Sequence, residues 1–315
     1  MLLAEYNGEE SRPGRTEPMT KSLKLISATL VSLVVFGLIN HASFASSENQ
    51  AVKAAFWHYP PALNNCCGVV EEYSSGWVSG PEIDFVFSGP WRDLIRNVFK
   101  QLGQDVQWKR IPFGEALDSV SRGDIDVIPN LFFTEARSQR VWFVGPIEVE
   151  DGYVNFLLNK KIHGDITKVE DLFDLILANE INSATGPGID NNPKIRIDRF
   201  GSRLKALTAV KSREADVLID TNLERLLEMR VTSRATQLTV ATYRYPFTIK
   251  SYLGLSRKSF KKEEAMKIDK LVENMFDDGT VALIYKSYEL KIPTYKRQFS
   301  RLGHARKTTH MSTKD

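Results

Sequence analysis

With 315 residues, 42% of them hydrophobic and 26% charged, the chain has the length for two domains and the composition of a soluble globular protein. Its net charge of +3 is unevenly spread: residues 291–315 hold seven Lys and Arg against one acid, residues 1–45 balance four acids with four bases, and the body from 46 to 290 is left at −3. A body of that sign offers no basic face suited to nucleic acid.

In chain order, the first signal is a leader. Lys21 and Lys24 precede the apolar run LISATLVSLVVFGLI (25–39), and Ser43-Phe44-Ala45 follows with small residues suited to cleavage. A basic n-region, an apolar core and an A-x-A-like exit predict a signal peptide over 19–45 and a periplasmic mature protein. A membrane span needs about 20 apolar residues, and Asn40 and His41 end this run early, so an uncleaved anchor is the lesser alternative. No cysteine lies near the exit to carry a lipid. Residues 1–18 are polar and precede Met19, which reads as a second start.

The two cysteines, Cys66 and Cys67, are neighbours. Their Cα atoms are about 3.8 Å apart, closer than the roughly 4.4–6.8 Å of an ordinary disulfide. Thiols on a loop are expected, a strained ring being the alternative, and the core must hold the fold.

Beyond residue 50, strands and helices alternate. VKAAFWHY (52–59) reads as a strand ended by Pro60-Pro61, and WRDLIRNVFKQLG (91–103) as a helix closed by Gly103. DVQWKRI (105–111) is strand-like, FGEALDSVSRG (113–123) a helix with Phe113, Ala116, Leu117 and Val120 on one face, and DVIPNL (126–131) a buried strand. This order predicts an α/β fold with a parallel sheet. About ninety residues on, Ser212-Arg213-Glu214-Ala215-Asp216-Val217 respells Ser121-Arg122-Gly123-Asp124-Ile125-Asp126-Val127 between a helix (203–211) and a strand, VLID (217–220). Two short matches fit either chance or two similar lobes. The charged, apolar-poor stretch 291–315 predicts a flexible basic tail.

The sequence contains no Walker loop, no G-x-S-x-G and no G-x-G-x-x-G, and its two body histidines, His58 and His163, have no metal-ligand spacing. We therefore expect no catalytic residue, no metal and no cofactor, and a binding role moves forward. Ligands of open α/β sheets sit outside the carboxyl ends of strands, where Asn130 to Arg137 and Asp220 fall. Arg137 lies in the first turn of a helix that Thr134 can cap, where a cation opposes the helix dipole at a cost of about 0.3–1 kcal/mol. An anionic partner offsets that cost, and a guanidinium grips a carboxylate with two hydrogen bonds; a surface salt bridge is the alternative. Asp220 ends an apolar strand and either receives a ligand ammonium or caps the helix TNLERLLEMR (221–230).

From about residue 51 to 290 the chain resembles the family 3 extracellular solute-binding proteins, the periplasmic amino-acid receptors of ABC importers. The resemblance rests on GDIDVIPNLFFTEARSQRVWFVGP, READVLID and SYLGLSRKSF…IDKLVENMFDDGTVALIYKSYEL, in that order. It implies a two-lobed α/β fold, with residues 46–147 and 249–290 in lobe one, 148–248 in lobe two, and crossing strands near 146–152 and 244–251. It also implies a monomer that binds a small molecule and docks on an inner-membrane ABC permease. By this resemblance Arg137 holds the ligand carboxylate and Asp220 its ammonium, with Tyr59 and Phe113 around the side chain. Asn130, Phe132, Thr134 and Gly188 complete the expected ligand set. The sequence departs from the family at Phe132, where a hydroxyl residue is common, and at Pro187-Gly188, where Pro lacks an N–H to donate. The alternatives are an enzyme on the same scaffold, resembling cyclohexadienyl dehydratases with Glu135 or Glu82 as the acid, and a sensory module.

Overall fold

The computed structural model describes residues 51–65, 76–80 and 87–302. The signal peptide, the two cysteines, Glu82 and the last thirteen residues lie outside them. In chain order the first elements are β1 (Val52–Phe56), β2 (Asn64–Asn65), β3 (Phe87–Ser88), α1 (Pro90–Gln101), β4 (Val106–Arg110), α2 (Phe113–Arg122), β5 (Val127–Phe132), α3 (Glu135–Ser138) and the long β6 (Val141–Leu158). There follow α4 (Lys160–His163), β7 (Ile176–Glu180), α5 (Pro187–Asp190), β8 (Arg196–Phe200), α6 (Arg203–Ser212), β9 (Val217–Asp220), α7 (Leu223–Thr232) and β10 (Thr239–Val240). The chain then runs through β11 (Tyr245–Ser256), α8 (Lys262–Asp277) and α9 (Thr280–Ser287).

The main sheet runs β4-β1-β5-β11-β6-β9-β7-β8. Strands β4, β1 and β5 pair in parallel on one side, and β9, β7 and β8 in parallel on the other. Between them β11 and β6 form one long antiparallel ladder, from Tyr245 opposite Val154 to Ser256 opposite Val141. These two strands are the only elements long enough to serve both halves. One apolar core is built from residues 52–147 and 252–285, around fully buried Trp91, Trp108 and Phe99. Two further clusters, from residues 154–241, face the opposite sides of the second half-sheet. Each buried large apolar side chain contributes about 1.5–3 kcal/mol, so each lobe has its own driving force to collapse. The fold is two-lobed α/β.

The respelled segments turn out to be equivalent joints. Gly123 and Arg213 end α2 and α6 in the left-handed conformation, with φ of 89° and 67°. The carboxylates of Asp126 and Asp216 then accept the backbone N–H of Lys53 (2.8 Å) and Ile176 (2.7 Å) on the neighbouring strand. Counting four residues on from each aspartate, Asn130 and Asp220 occupy matching places at the carboxyl ends of β5 and β9.

The segment beyond residue 290 departs from the expected solvated tail as far as residue 302. Tyr295 stacks obliquely on Phe276 at 5.2 Å, Arg297 pairs with Glu273, and Ser300 Oγ donates to Asp269 Oδ2 at 3.0 Å. The charges that suggested solvation find their partners on α8, far away in sequence. Among the described residues no helix is long and apolar enough to cross a membrane.

Candidate functional site

Three helices of the two lobes begin at the gap between them, and each begins with an arginine. Thr134 Oγ1 accepts the N–H of Arg137 at 3.2 Å, which starts α3 and places Arg137 at its third position. Asn222 Oδ1 accepts the N–H of Arg225 at 2.8 Å, giving Arg225 the same place in α7. Ser202 caps α6 and puts Arg203 first. A cation in a first turn opposes the helix dipole by about 0.3–1 kcal/mol, so all three placements need compensation from elsewhere.

For Arg225 and Arg203 the compensation is visible. Arg225 grips Asp220 with two parallel hydrogen bonds, Nε to Oδ2 at 3.0 Å and Nη2 to Oδ1 at 2.6 Å. Arg203 Nε stands 3.5 Å from the same carboxylate, and its Nη2 lies 3.7 Å from Glu180 Oε2. Asp220 Oδ1 also accepts the N–H of Asn222 at 2.9 Å. Burial pushes the Asp220 carboxyl up, but the two guanidiniums and these hydrogen bonds outweigh it and hold it below the ordinary value. Burial likewise lowers Arg225, yet Asp220 raises it more. Burial dominates at Glu180, whose carboxyl is raised despite Arg203.

Arg137 is different. It is 5% exposed, and its guanidinium donates only to the backbone carbonyls of Phe132 (2.6 Å) and Asn182, above the ring of Phe113 at 5.3 Å. Among the described residues no carboxylate pairs with it. Burial draws its pKa down to about 10, so it remains charged at neutral pH. A buried guanidinium without a counter-ion is costly unless an anion joins it.

These groups enclose a cavity of about 40 Å³. A dry cavity of about 150 Å³ holds benzene, so the enclosed space admits only a few non-hydrogen atoms. Trp57, Tyr59, Phe113 and Phe132 form an aromatic frame around it. Asn130, buried and with φ 48°, sits where β5 skips a register position against β11. Such bulges re-aim side chains beside binding sites, and here the bulge turns Asn130 into the cavity. Contacts across the gap hold the lobes together: Asn182 Nδ2 to Gly114 O (3.1 Å), Asn222 Nδ2 to Pro60 O (2.5 Å) and His58 Nε2 to Glu228 Oε2 (2.6 Å). Burial lowers the His58 pKa, against the pull of Glu228.

Residues 78–291 match the model of the bacterial extracellular solute-binding proteins, family 3. The chain belongs to that family. Solved structures similar to this family 3 protein include an ancestral arginine-binding protein bound to arginine, with TM-score 0.56 and 19% identity over 76% of this chain and 97% of that one. A periplasmic His/Glu/Gln/Arg/opine family-binding protein from Silicibacter pomeroyi, in complex with lysine, gives 0.53 and 17% over 76% and 96%. A histidine kinase sensor domain with similarity to periplasmic binding proteins gives 0.54 and 14% over 76% and 96%. No curated protein matches the chain.

Within this family 3 protein the residues expected from sequence divide between two spaces. Tyr59, Phe113, Asn130, Phe132, Arg137 and Asp220 line the inner cavity. Thr134 and Gly188 instead line an outer cavity of about 710 Å³, which shares Phe132 and Ala184 with the inner one. The Thr134 hydroxyl is taken by the helix it caps. Gly188 lies under Tyr245, where a Cβ would stand 1.7 Å from the phenol oxygen; its smallness serves packing. Glu135 also faces the outer cavity.

Four important lining residues were not anticipated: Trp57, Glu180, Arg203 and Arg225. Glu180 carries the same signal as Asp220, an acid ending an apolar strand, and the two arginines carry the signal of Arg137, a cation opening a helix.

Proposed function

We propose that this protein is a periplasmic receptor for a small carboxylate solute, an amino acid or a related acid, which it delivers to an inner-membrane ABC permease. The observation that carries this reading is Arg137: a charged guanidinium, buried at the gap between two lobes and lacking a counter-ion among the described residues. A solute carboxylate supplies the missing charge and accepts two parallel hydrogen bonds. The arginine and lysine complexes among the similar structures support a ligand of this size and kind. The protein acts by binding and by closure, not by catalysis. Solute entering the cavity favours the closed arrangement of the lobes, and a permease distinguishes the closed shape from the open one.

The test is a thermal-shift screen of amino acids, opines, polyamines and small organic acids against the wild-type protein and Arg137→Ala. A ligand at a hundred times its dissociation constant stabilises by about 2.7 kcal/mol. Truncating one partner of a buried charged pair costs about 2–5 kcal/mol, so Arg137→Ala should weaken carboxylate binding more than tenfold. Undiminished affinity in calorimetry refutes the assignment.

A further inference from the structure

We infer that the solute is a monoanion without an α-ammonium group, a 2-oxo, 2-hydroxy or plain carboxylic acid rather than an amino acid. This rests on the receptor reading above and narrows the chemistry of its site.

An ammonium needs a carboxylate with open acceptor sites. Two carboxylates line the inner cavity, Asp220 and Glu180. Asp220 already receives both hydrogen bonds of the Arg225 fork and the Asn222 N–H, with Arg203 Nε 3.5 Å away. A carboxylate has about four lone-pair sites, and here three are filled and a guanidinium faces the rest. Arg225 is itself held over the ring of Tyr59 at 4.7 Å, so it is not a mobile counter-ion awaiting displacement. Glu180 faces Arg203 and takes the Gly114 N–H at 3.4 Å.

The charge count agrees. Arg137, Arg203 and Arg225 against Asp220 and Glu180 leave the lining at +1. A zwitterion adds no net charge and leaves one buried guanidinium uncompensated, while its ammonium would sit among like charges. A monoanion neutralises the site. A keto or hydroxyl oxygen at the α-carbon also presents an acceptor to a wall rich in guanidinium donors, where an ammonium presents only further donors.

The test needs only the wild-type protein and matched solutes that differ at the α-carbon: pyruvate and L-lactate against L-alanine, 4-methyl-2-oxopentanoate against L-leucine, phenylpyruvate against L-phenylalanine, with L-arginine and L-lysine added. Thermal shift finds the pair that binds, and calorimetry measures both members. The inference expects the oxo or hydroxy acid to bind at least tenfold tighter than its amino acid. An amino acid binding as tightly or more tightly overturns it while leaving the receptor reading intact. If no carboxylate of either set binds, the carboxylate-receptor reading itself falls, and the inference with it.

Discussion

Replacing Gly114 by alanine adds one methyl group at the closest approach of the two lobes. A Cβ there would stand 2.5 Å from Ile181 Cγ2 and 2.7 Å from the Ile181 carbonyl oxygen. Favourable carbon contacts begin near about 3.5 Å, so the lobes must part locally by roughly 1 Å. That displacement falls on the contacts that accompany closure: Asn182 Nδ2 to Gly114 O at 3.1 Å, Gly114 N to Glu180 Oε1 at 3.4 Å, and Arg137 to the Asn182 carbonyl. Overpacking of this kind costs about 1–3 kcal/mol, which converts to a loss of roughly 5- to 150-fold in solute affinity. The same substitution acts in the opposite direction on the protein without solute, whose lobes can open. Gly114 lies within α2 at an ordinary φ, and glycine to alanine at a compatible position stabilises by about 0.4–1 kcal/mol. For a body of this size that is about 1–4 °C in Tm. Calorimetric titration with the tightest acid of the matched panel, together with thermal denaturation without solute, reads both signs. Affinity within twofold of wild type refutes the closure argument; a lowered Tm shows that the methyl disturbs lobe one instead.

Two further substitutions examine the charges. Asp220→Asn leaves Arg203 and Arg225 buried with Glu180 as the remaining acid of the cavity, and breaking such a pair costs about 3–5 kcal/mol. We expect Tm to fall by roughly 6–20 °C, and a shift under 2 °C in thermal denaturation contradicts the pairing. Glu148 lies on β6 beside the crossing, its Oε1 accepting from Tyr285 Oη at 2.6 Å and Trp91 Nε1 at 3.2 Å. Burial pushes its carboxyl from 4.5 up to about 7, with Tyr285 opposing. Because the folded value is the higher one, the folded protein binds the proton more readily; the destabilisation is absent below about pH 4.5 and complete above about pH 7. Glu148→Gln keeps the acceptor oxygen and removes the charge, so its Tm should gain on wild type at pH 8 and not at pH 4.5. A gain that is equal at both pH values rules out this titration.

Much of the scaffold was legible in the chain. Apolar spacing marked α1, α2 and the buried run of β5, since burial of one face imposes its period on the sequence whatever the partner. The two Asp-Val joints were legible as well, because each needs only a left-handed residue and an aspartate near the start of a strand. Arg137 stood out on a local conflict, a cation in a first helical turn, and it lies in the cavity. The same conflict marks Arg203 and Arg225, yet nothing near them in sequence names their partners.

What the chain alone determined, then, was which residues sit at strand ends and helix starts, because those places depend on neighbours within a few positions. Which charges cancel was decided by tertiary structure. Asp220 meets Arg225 five residues on and Arg203 seventeen back, and Glu180 joins them because β7 lies beside β9 in the sheet. An ion pair is a matter of distances of a few ångströms between side chains, and a sheet order that brings β7 against β9 sets those distances. Hence an aspartate that reads as an ammonium site in the sequence stands neutralised by two guanidiniums in the fold, and Arg137 is left as the buried charge that calls for an anion.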